Sequence, residues 1–153
     1  MELNYYFLIV AKSIAEKAHK GQTRWDNVTP YITHPETVAL MIRDDFKNYD
    51  CVHEAEIVAW LHDVIEDTPV SLESLIRRFP TDIIVAIEAI THRENESYVE
   101  YLQRVSKNKI ATIVKIVDIA HNLSELPFPP YHQQRRDKYE LALLYLQEKL
   151  WSR

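Results

Sequence analysis

The stretch Leu61–Thr68, LHDVIEDT, sets His62, Asp63, Glu66 and Asp67 among the apolar residues Leu61, Val64 and Ile65. In a helix, residues four apart lie one above the other, so His62 should stack with Glu66 and Asp63 with Asp67. One side of the segment then carries four ionisable groups and the other the apolar ones, the pattern of an amphipathic helix. Three carboxylates this close repel one another, and the segment has no lysine or arginine to offset them. A cation would relieve that repulsion, either from bulk solvent or as a bound metal.

Outward from this stretch, apolar residues recur at spacings of three and four through almost the whole chain, which predicts helices throughout. The first should run from Asn4 to Lys20, with Gly21 as its stop. Thr33 and Glu36 have capping-box spacing and Pro35 suits a first turn, opening a second helix that continues to Lys47. A third starts after Asp50, carries LHDVIEDT and ends before Pro69. Ser71, Thr81, Ser97 (with Glu100) and Asn108 are the expected caps of the helices that follow. PFPPYHQ, residues 127–133, breaks the pattern, and a last helix closes the chain, with Leu141, Leu144, Tyr145 and Leu150 expected to pack on the bundle. Tyr5-Tyr6-Phe7 reads as core or subunit contact. No segment reads as a strand, and a single glycine in 153 residues fits helices joined by proline-marked turns. The expected fold class is all-α, a compact multi-helix bundle, with residues 1–153 forming one domain.

Composition narrows the partners. The chain is 46% hydrophobic and 27% charged, as in ordinary globular proteins. A formal net charge of −5 disfavours nucleic acid or an anionic membrane as the main partner, but leaves room for a local basic pocket that takes one phosphorylated small molecule. Cys51 is the only cysteine, so no intramolecular disulfide forms. The N-terminus lacks the basic start of a signal peptide, and its apolar run from Tyr5 to Ala11 is too short to span a bilayer. A cytoplasmic protein is expected; composition does not set its oligomeric state.

Three separated segments make more chemical sense together than apart: His34 in the first turn of the second helix, the pair His62-Asp63, and Asp118 within the apolar run Ile116–Ala120. An unpaired carboxylate in such a run is costly to bury. Two imidazoles and two carboxylates suit a borderline divalent ion such as Mn²⁺, Fe²⁺ or Zn²⁺. Four protein ligands leave room for water only on an ion that accepts five or six partners, which favours manganese or iron over structural zinc. Glu66 and Asp67, one turn beyond, are placed to draw a proton from a water acidified by the ion. Each residue alone has a plainer reading. The LHDVIEDT carboxylates are a solvated helix face, His34 a cap-region histidine, and Asp118 the partner of Lys115 three residues earlier. His19, His53, His92, His121 and His132 show no ligand pattern and read as structural or surface groups.

His34, His62-Asp63 and Asp118 resemble the H…HD…D signature of HD-domain metal-dependent phosphohydrolases. AHKGQTRWDNVTPYITHPETVA (residues 18–39), WLHDVIEDTPVSLESL (60–75) and VKIVDIAHNLSEL (114–126) look like the hydrolase domain of the RelA/SpoT family, above all its free-standing small alarmone hydrolases. The resemblance implies a Mn²⁺-dependent enzyme that removes the 3′-pyrophosphate from ppGpp or pppGpp. His34, His62, Asp63 and Asp118 would hold the metal, and Glu66 and Asp67 would activate or orient the water. Arg24, Asn122 and Thr91 would contact substrate. Where that family usually reads Arg-Lys, this chain has Arg24-Trp25, which removes a positive charge from the region expected to meet the pyrophosphate. Two other readings follow: the same metal chemistry on another phosphorylated nucleotide such as NADPH (removal of its 2′-phosphate), or a nucleotide-binding regulator without turnover.

Overall fold

Every residue from Ala55 to Leu61 is buried, including the carboxylate-bearing Glu56. A helix that is apolar on all sides must be enclosed by others. The computed structural model, which describes residues 2–127 and 132–153, places this segment at the centre of nine helices among those residues. They are α1 (Glu2–Ala18), α2 (Thr33–Asp45), α3 (Val52–Leu61), α4 (Val64–Asp67), α5 (Leu72–Ile76), α6 (Thr81–Ile90), α7 (Tyr98–Val105), α8 (Lys109–Glu125) and α9 (Gln133–Trp151). α3 packs against α1, α2, α6 and α8, and α8 in turn against α2, α6, α7 and α9. Glu56 is tolerated in this interior because Arg43 of α2 reaches it with an ion pair. Among the described residues the one extended pairing is a bridge between Thr23 and Pro30, so the all-α expectation holds. None of the described helices is long and apolar enough to cross a membrane.

Several helix ends are where capping chemistry puts them. Ser71 accepts from the Ser74 N–H, and Asn108 accepts from the Ala111 N–H at 2.8 Å. Ser97 and Glu100 complete a reciprocal capping box. Gly21 takes φ +85°, the left-handed backbone that ends α1. Two expected caps differ. Thr33 is already helical, and its hydroxyl donates to the Pro30 carbonyl at 2.9 Å; Pro80, not Thr81, stands at the start of α6. In α9 the buried residues are Ala142, Leu146 and Leu150, while Leu141 and Leu144 face solvent, because the helix packs on α8 along one narrow stripe. Tyr5 and Tyr6 are likewise exposed, and Phe7 alone of that trio packs on the core, beside Phe79. Of the break expected at PFPPYHQ, residues 128–131 lie outside the described residues.

The segment between α1 and α2 folds as a tight hairpin. Arg24 N–H donates to Thr29 C=O and Tyr31 N–H to Gln22 C=O, both at 2.8 Å. At its tip the Asp26 carboxylate accepts from the Thr29 hydroxyl and from the backbone N–H groups of Val28 and Thr29. Those bonds hold its pKa down at about 2. The hairpin turns Arg24, Trp25 and Tyr31 toward the junction of α2, α3 and α8.

Candidate metal centre

α3 does not run through LHDVIEDT as one helix. It ends at Leu61, and the chain turns at His62 and Asp63 before the short α4. The reason is local: the His62 ring folds back so that Nδ1 meets the Ala59 carbonyl at 2.6 Å. His62 and Asp63 therefore point toward α2 and α8, and the expected vertical stack of His62 on Glu66 gives way to two separate groups.

The turn brings both residues to His34, the second residue of α2, and to Asp118 in the middle of α8. His34 Nε2 lies 2.9 Å from Asp118 Oδ1, 3.3 Å from His62 Nε2 and 3.8 Å from Asp63 Oδ2. His62 Nε2 lies 3.0 Å from Asp63 Oδ2 and 3.4 Å from Asp118 Oδ1. One nitrogen or oxygen from each of the four residues falls within 4.8 Å of all the others. Donors held at about 2.1 Å from one ion stand roughly 3.0–3.4 Å from their neighbours and about 4.2 Å across it, for octahedral or tetrahedral arrangements. The observed separations are of that size, so these residues fit a single divalent ion. With His62 Nδ1 occupied by a carbonyl, its Nε2 is the nitrogen left for a ligand role.

The cluster is buried but not short of partners. Tyr31 donates its hydroxyl to Asp63 Oδ2. Lys115 donates to Asp118 Oδ2 at 2.8 Å, and Asn122 Nδ2 to Asp118 Oδ1 at 3.0 Å. Lys115 and Asp118 thus form the i,i+3 pair open to any helix, but in the interior: their side chains are 18% and 5% exposed. Burial opposes the charged forms of Asp118 and Lys115, yet each outweighs that cost for the other, driving Asp118 well below and Lys115 well above the ordinary values. Burial likewise opposes the His62 imidazolium, but the charges of Asp63 and Asp118 raise its pKa well above 6.5; Asp63 is held low by His62 against its own burial. A divalent cation would take the place of these protons, so metal uptake here is linked to proton release.

Above the cluster opens a cleft of about 410 Å³, lined by Thr23, Arg24, Trp25, Tyr31, Asp63, Lys115, Asp118, Asn122 and Tyr139. Arg24 is buried and already engaged: its Nε and Nη2 donate to Glu125 Oε2 at 3.0 and 2.6 Å, and Nη2 also to Asn122 Oδ1 at 2.9 Å. Of the other residues singled out from sequence, Glu66 and Asp67 follow the ligand pair on α4, outside this lining. Partial burial and the nearby charge of Asp63 raise the pKa of both. Glu66 Oε1 accepts from the His92 N–H at 2.5 Å, whereas the Asp67 carboxylate accepts no hydrogen bond among the described residues. Thr91 is not brought to the cleft; its hydroxyl donates to the Ile87 carbonyl at 2.7 Å, closing the end of α6.

Four residues of the site were not assigned to it from sequence. Tyr31 stands three before His34 within the quoted PYITHP, a spacing that invites the check. Lys115 is marked by sequence only as the i,i+3 partner of Asp118. His121 shows no ligand pattern of its own, but it stands three residues after Asp118 on the same helix face, a spacing that invites the check. Its Nδ1 lies 2.7 Å from His34 Nδ1. Glu125, one turn further, touches both His121 and Arg24, and nothing in the sequence marked it.

Comparison with known proteins places the chain. The model of the HD domain family matches residues 11–117. The chain is 34% identical over 141 residues to a guanosine-3′,5′-bis(diphosphate) 3′-pyrophosphohydrolase of Borreliella burgdorferi, a match covering 82% of this chain and 20% of that one. A protein of the same name from Haemophilus influenzae is 29% identical over 143 residues, covering 86% of this chain and 20% of the relative. The chain thus spans about a fifth of the length of these relatives. Among solved structures it is similar to a metazoan ortholog of SpoT that hydrolyzes ppGpp, with a TM-score of 0.73, 24% identity, and coverage of 94% of this chain and 85% of the other. That likeness bears out the fold, and the family match carries further: the chain belongs to the HD domain family.

Proposed function

We propose that this HD domain is a divalent-metal phosphohydrolase that removes the 3′-pyrophosphate from ppGpp and pppGpp, giving GDP or GTP and pyrophosphate, with Mn²⁺ as its ion. The observation that carries the reading is a juxtaposition. A four-donor cluster sized for one ion opens through Asp63 and Asp118 onto a cleft that also holds the cations Lys115 and Arg24, with His34 and His62 behind them. The names of the two bacterial relatives supply the substrate class.

His34, His62, Asp63 and Asp118 would hold the ion, which when bound offsets phosphate charge and makes water a better proton donor. Asp67, with its raised pKa and an unengaged carboxylate, accepts the proton of the attacking water. Glu66, anchored by the His92 N–H, orients that water. Arg24 and Asn122, joined to each other on the cleft wall, orient the phosphates, and Lys115 adds positive charge beside Asp118. Tyr31 fixes the Asp63 carboxylate through its hydroxyl. Trp25 and Tyr139 present aromatic faces in the same cleft, suited to stack on a nucleobase. Residues 1–153 act as one catalytic unit on a small phosphorylated nucleotide in the cytoplasm.

The test is turnover of ppGpp, pppGpp and NADPH with Mn²⁺, with EDTA, and with Asp63→Ala. Release of GDP and pyrophosphate from ppGpp is expected only with metal and only with Asp63 in place. Turnover of NADPH instead would keep the metal chemistry and replace the substrate. Nucleotide bound without any turnover would turn the reading to a regulator.

A further inference from the structure

Behind His34 three groups form a line of alternating donors and acceptors that leads away from the cluster. Glu125 Oε1 lies 3.2 Å from His121 Nε2, and His121 Nδ1 lies 2.7 Å from His34 Nδ1. The two ring centroids are 5.0 Å apart and the planes differ by only 17°. The short nitrogen–nitrogen separation therefore runs along the line joining two nearly coplanar rings, the direction of a ring N–H and a ring lone pair. Each partner dictates the next. An ionised carboxylate can only accept, so the proton of neutral His121 sits on Nε2. Its Nδ1 is then a bare lone pair. A 2.7 Å contact between two nitrogens needs one proton between them, and His34 must supply it from Nδ1. With that proton fixed, neutral His34 has its Nε2 lone pair free for an ion held with Asp118 and His62; without the ion, the 2.9 Å approach of Nε2 to Asp118 Oδ1 takes a second proton on the ring, which the ion replaces.

We propose that His121 and Glu125 are positioning residues that fix the metal-facing tautomer of His34. This rests on the reading of the cluster as a metal centre and adds two residues to it that touch neither ion nor substrate. Glu125 does a second job with its other oxygen, which takes two N–H groups of Arg24. One carboxylate thus orients a ligand of the floor and an arginine of the wall, and the two roles have to be separated experimentally.

The experiment is Mn²⁺ affinity of the full chain by competition with a chelator, joined to imidazole ¹⁵N–¹H NMR of the Zn²⁺-loaded protein. Glu125→Ala should weaken Mn²⁺ binding by roughly 10- to 100-fold, the usual effect of losing a partner behind a metal-bound histidine. Glu125→Gln, whose amide oxygen still accepts from His121 Nε2, should recover most of that loss, and Arg24→Gln should leave Mn²⁺ affinity where it was. The NMR should find the protons on Nε2 of His121 and Nδ1 of His34. It needs no substitution, so it decides the matter even if Glu125→Ala does not fold. Unchanged affinity in Glu125→Ala, an equal loss in Arg24→Gln, or a proton on His121 Nδ1 would each overturn the proposal while leaving the metal centre intact. A native chain that binds neither Mn²⁺ nor Zn²⁺ would overturn both.

Discussion

At the floor of the cleft, His34, His62 and Asp118 are almost closed to solvent and their polar atoms meet protein partners on every side. Nearer the surface, Trp25 on the cleft wall and Glu66 and Asp67 on α4, beside the ligand pair, are exposed; together they make the outer region, called its mouth, and the Asp67 carboxylate has no hydrogen-bond partner among the described residues. The two regions are positioned by different means. The floor rides on α2, the α3–α4 turn and α8, helices whose other faces are the core residues Val38, Ile42, Leu61, Ile113 and Ile119. Moving a ligand there means repacking the interior, which is dense and resists it. The mouth is set by a hairpin, a four-residue helix and a few local hydrogen bonds. Such segments tolerate exchange without disturbing the core. On the proposed function, the floor would carry the metal chemistry and the mouth the recognition and proton handling.

The sharpest way to break that division is to alter proton handling and ask whether metal binding follows. Asp67→Asn should lower kcat by about 10²- to 10⁴-fold, the usual worth of a positioned base, while Mn²⁺ affinity stays put. Glu66→Gln should cost less, since its anchoring bond from the His92 N–H can still be made to an amide oxygen. Steady-state kinetics beside metal titration reads both. A matching collapse of Mn²⁺ affinity in Asp67→Asn would mean that mouth and floor are one unit.

A second prediction sharpens the electrostatics of the floor. Lys115→Met leaves the buried Asp118 without its nearest cation, and breaking a buried pair from one side costs about 3 kcal/mol or more. In EDTA the urea midpoint should fall accordingly. With Mn²⁺ present much of the loss should return, because the ion takes over as the counter-charge. An equal loss under both conditions would make Lys115 a packing residue and not part of the charge balance of the site.

The helices themselves were legible because three- and four-residue spacing is a local property of the chain, and so were the caps Ser71, Ser97 and Asn108, whose bonds span only three residues. The fourfold cluster was legible for a different reason: carboxylates and imidazoles within apolar runs have few other ways to be accommodated. What escaped were contacts whose partners lie far apart in sequence. The break at His62 depends on a ring turning back to a carbonyl, which the apolar pattern cannot register. Arg24 meets Glu125 across 101 positions of sequence, and no spacing rule reaches that far. Thr33 and Thr81 had the right residue types for caps, but the Thr33 hydroxyl is spent on the Pro30 carbonyl behind an Ile32 that is already helical, and Pro80 takes the cap position before α6.

The smallest expected effect concerns the aromatic at the mouth. Trp25, 42% exposed, has two guanidinium groups over its ring, Arg24 at 5.9 Å and Arg135 of α9 at 4.9 Å from the centroid. The alarmone hydrolases that the sequence resembles usually carry lysine at this position, so the tryptophan removes one charge but holds the Arg135 guanidinium against its own ring. An exposed cation–π contact is worth roughly 0.5–1 kcal/mol, so Trp25→Ala should raise KM for the nucleotide by about two- to fivefold with kcat unchanged. Trp25→Lys restores a charge at the mouth while releasing Arg135. It should bind more tightly than Trp25→Ala, less tightly than the native chain, and with a steeper dependence on salt, since an exposed ammonium is readily screened. Tighter binding by Trp25→Lys than by the native chain would show that charge alone governs entry. Recognition at the mouth would then owe nothing to the ring, and the aromatic face would be no more than a tolerated replacement.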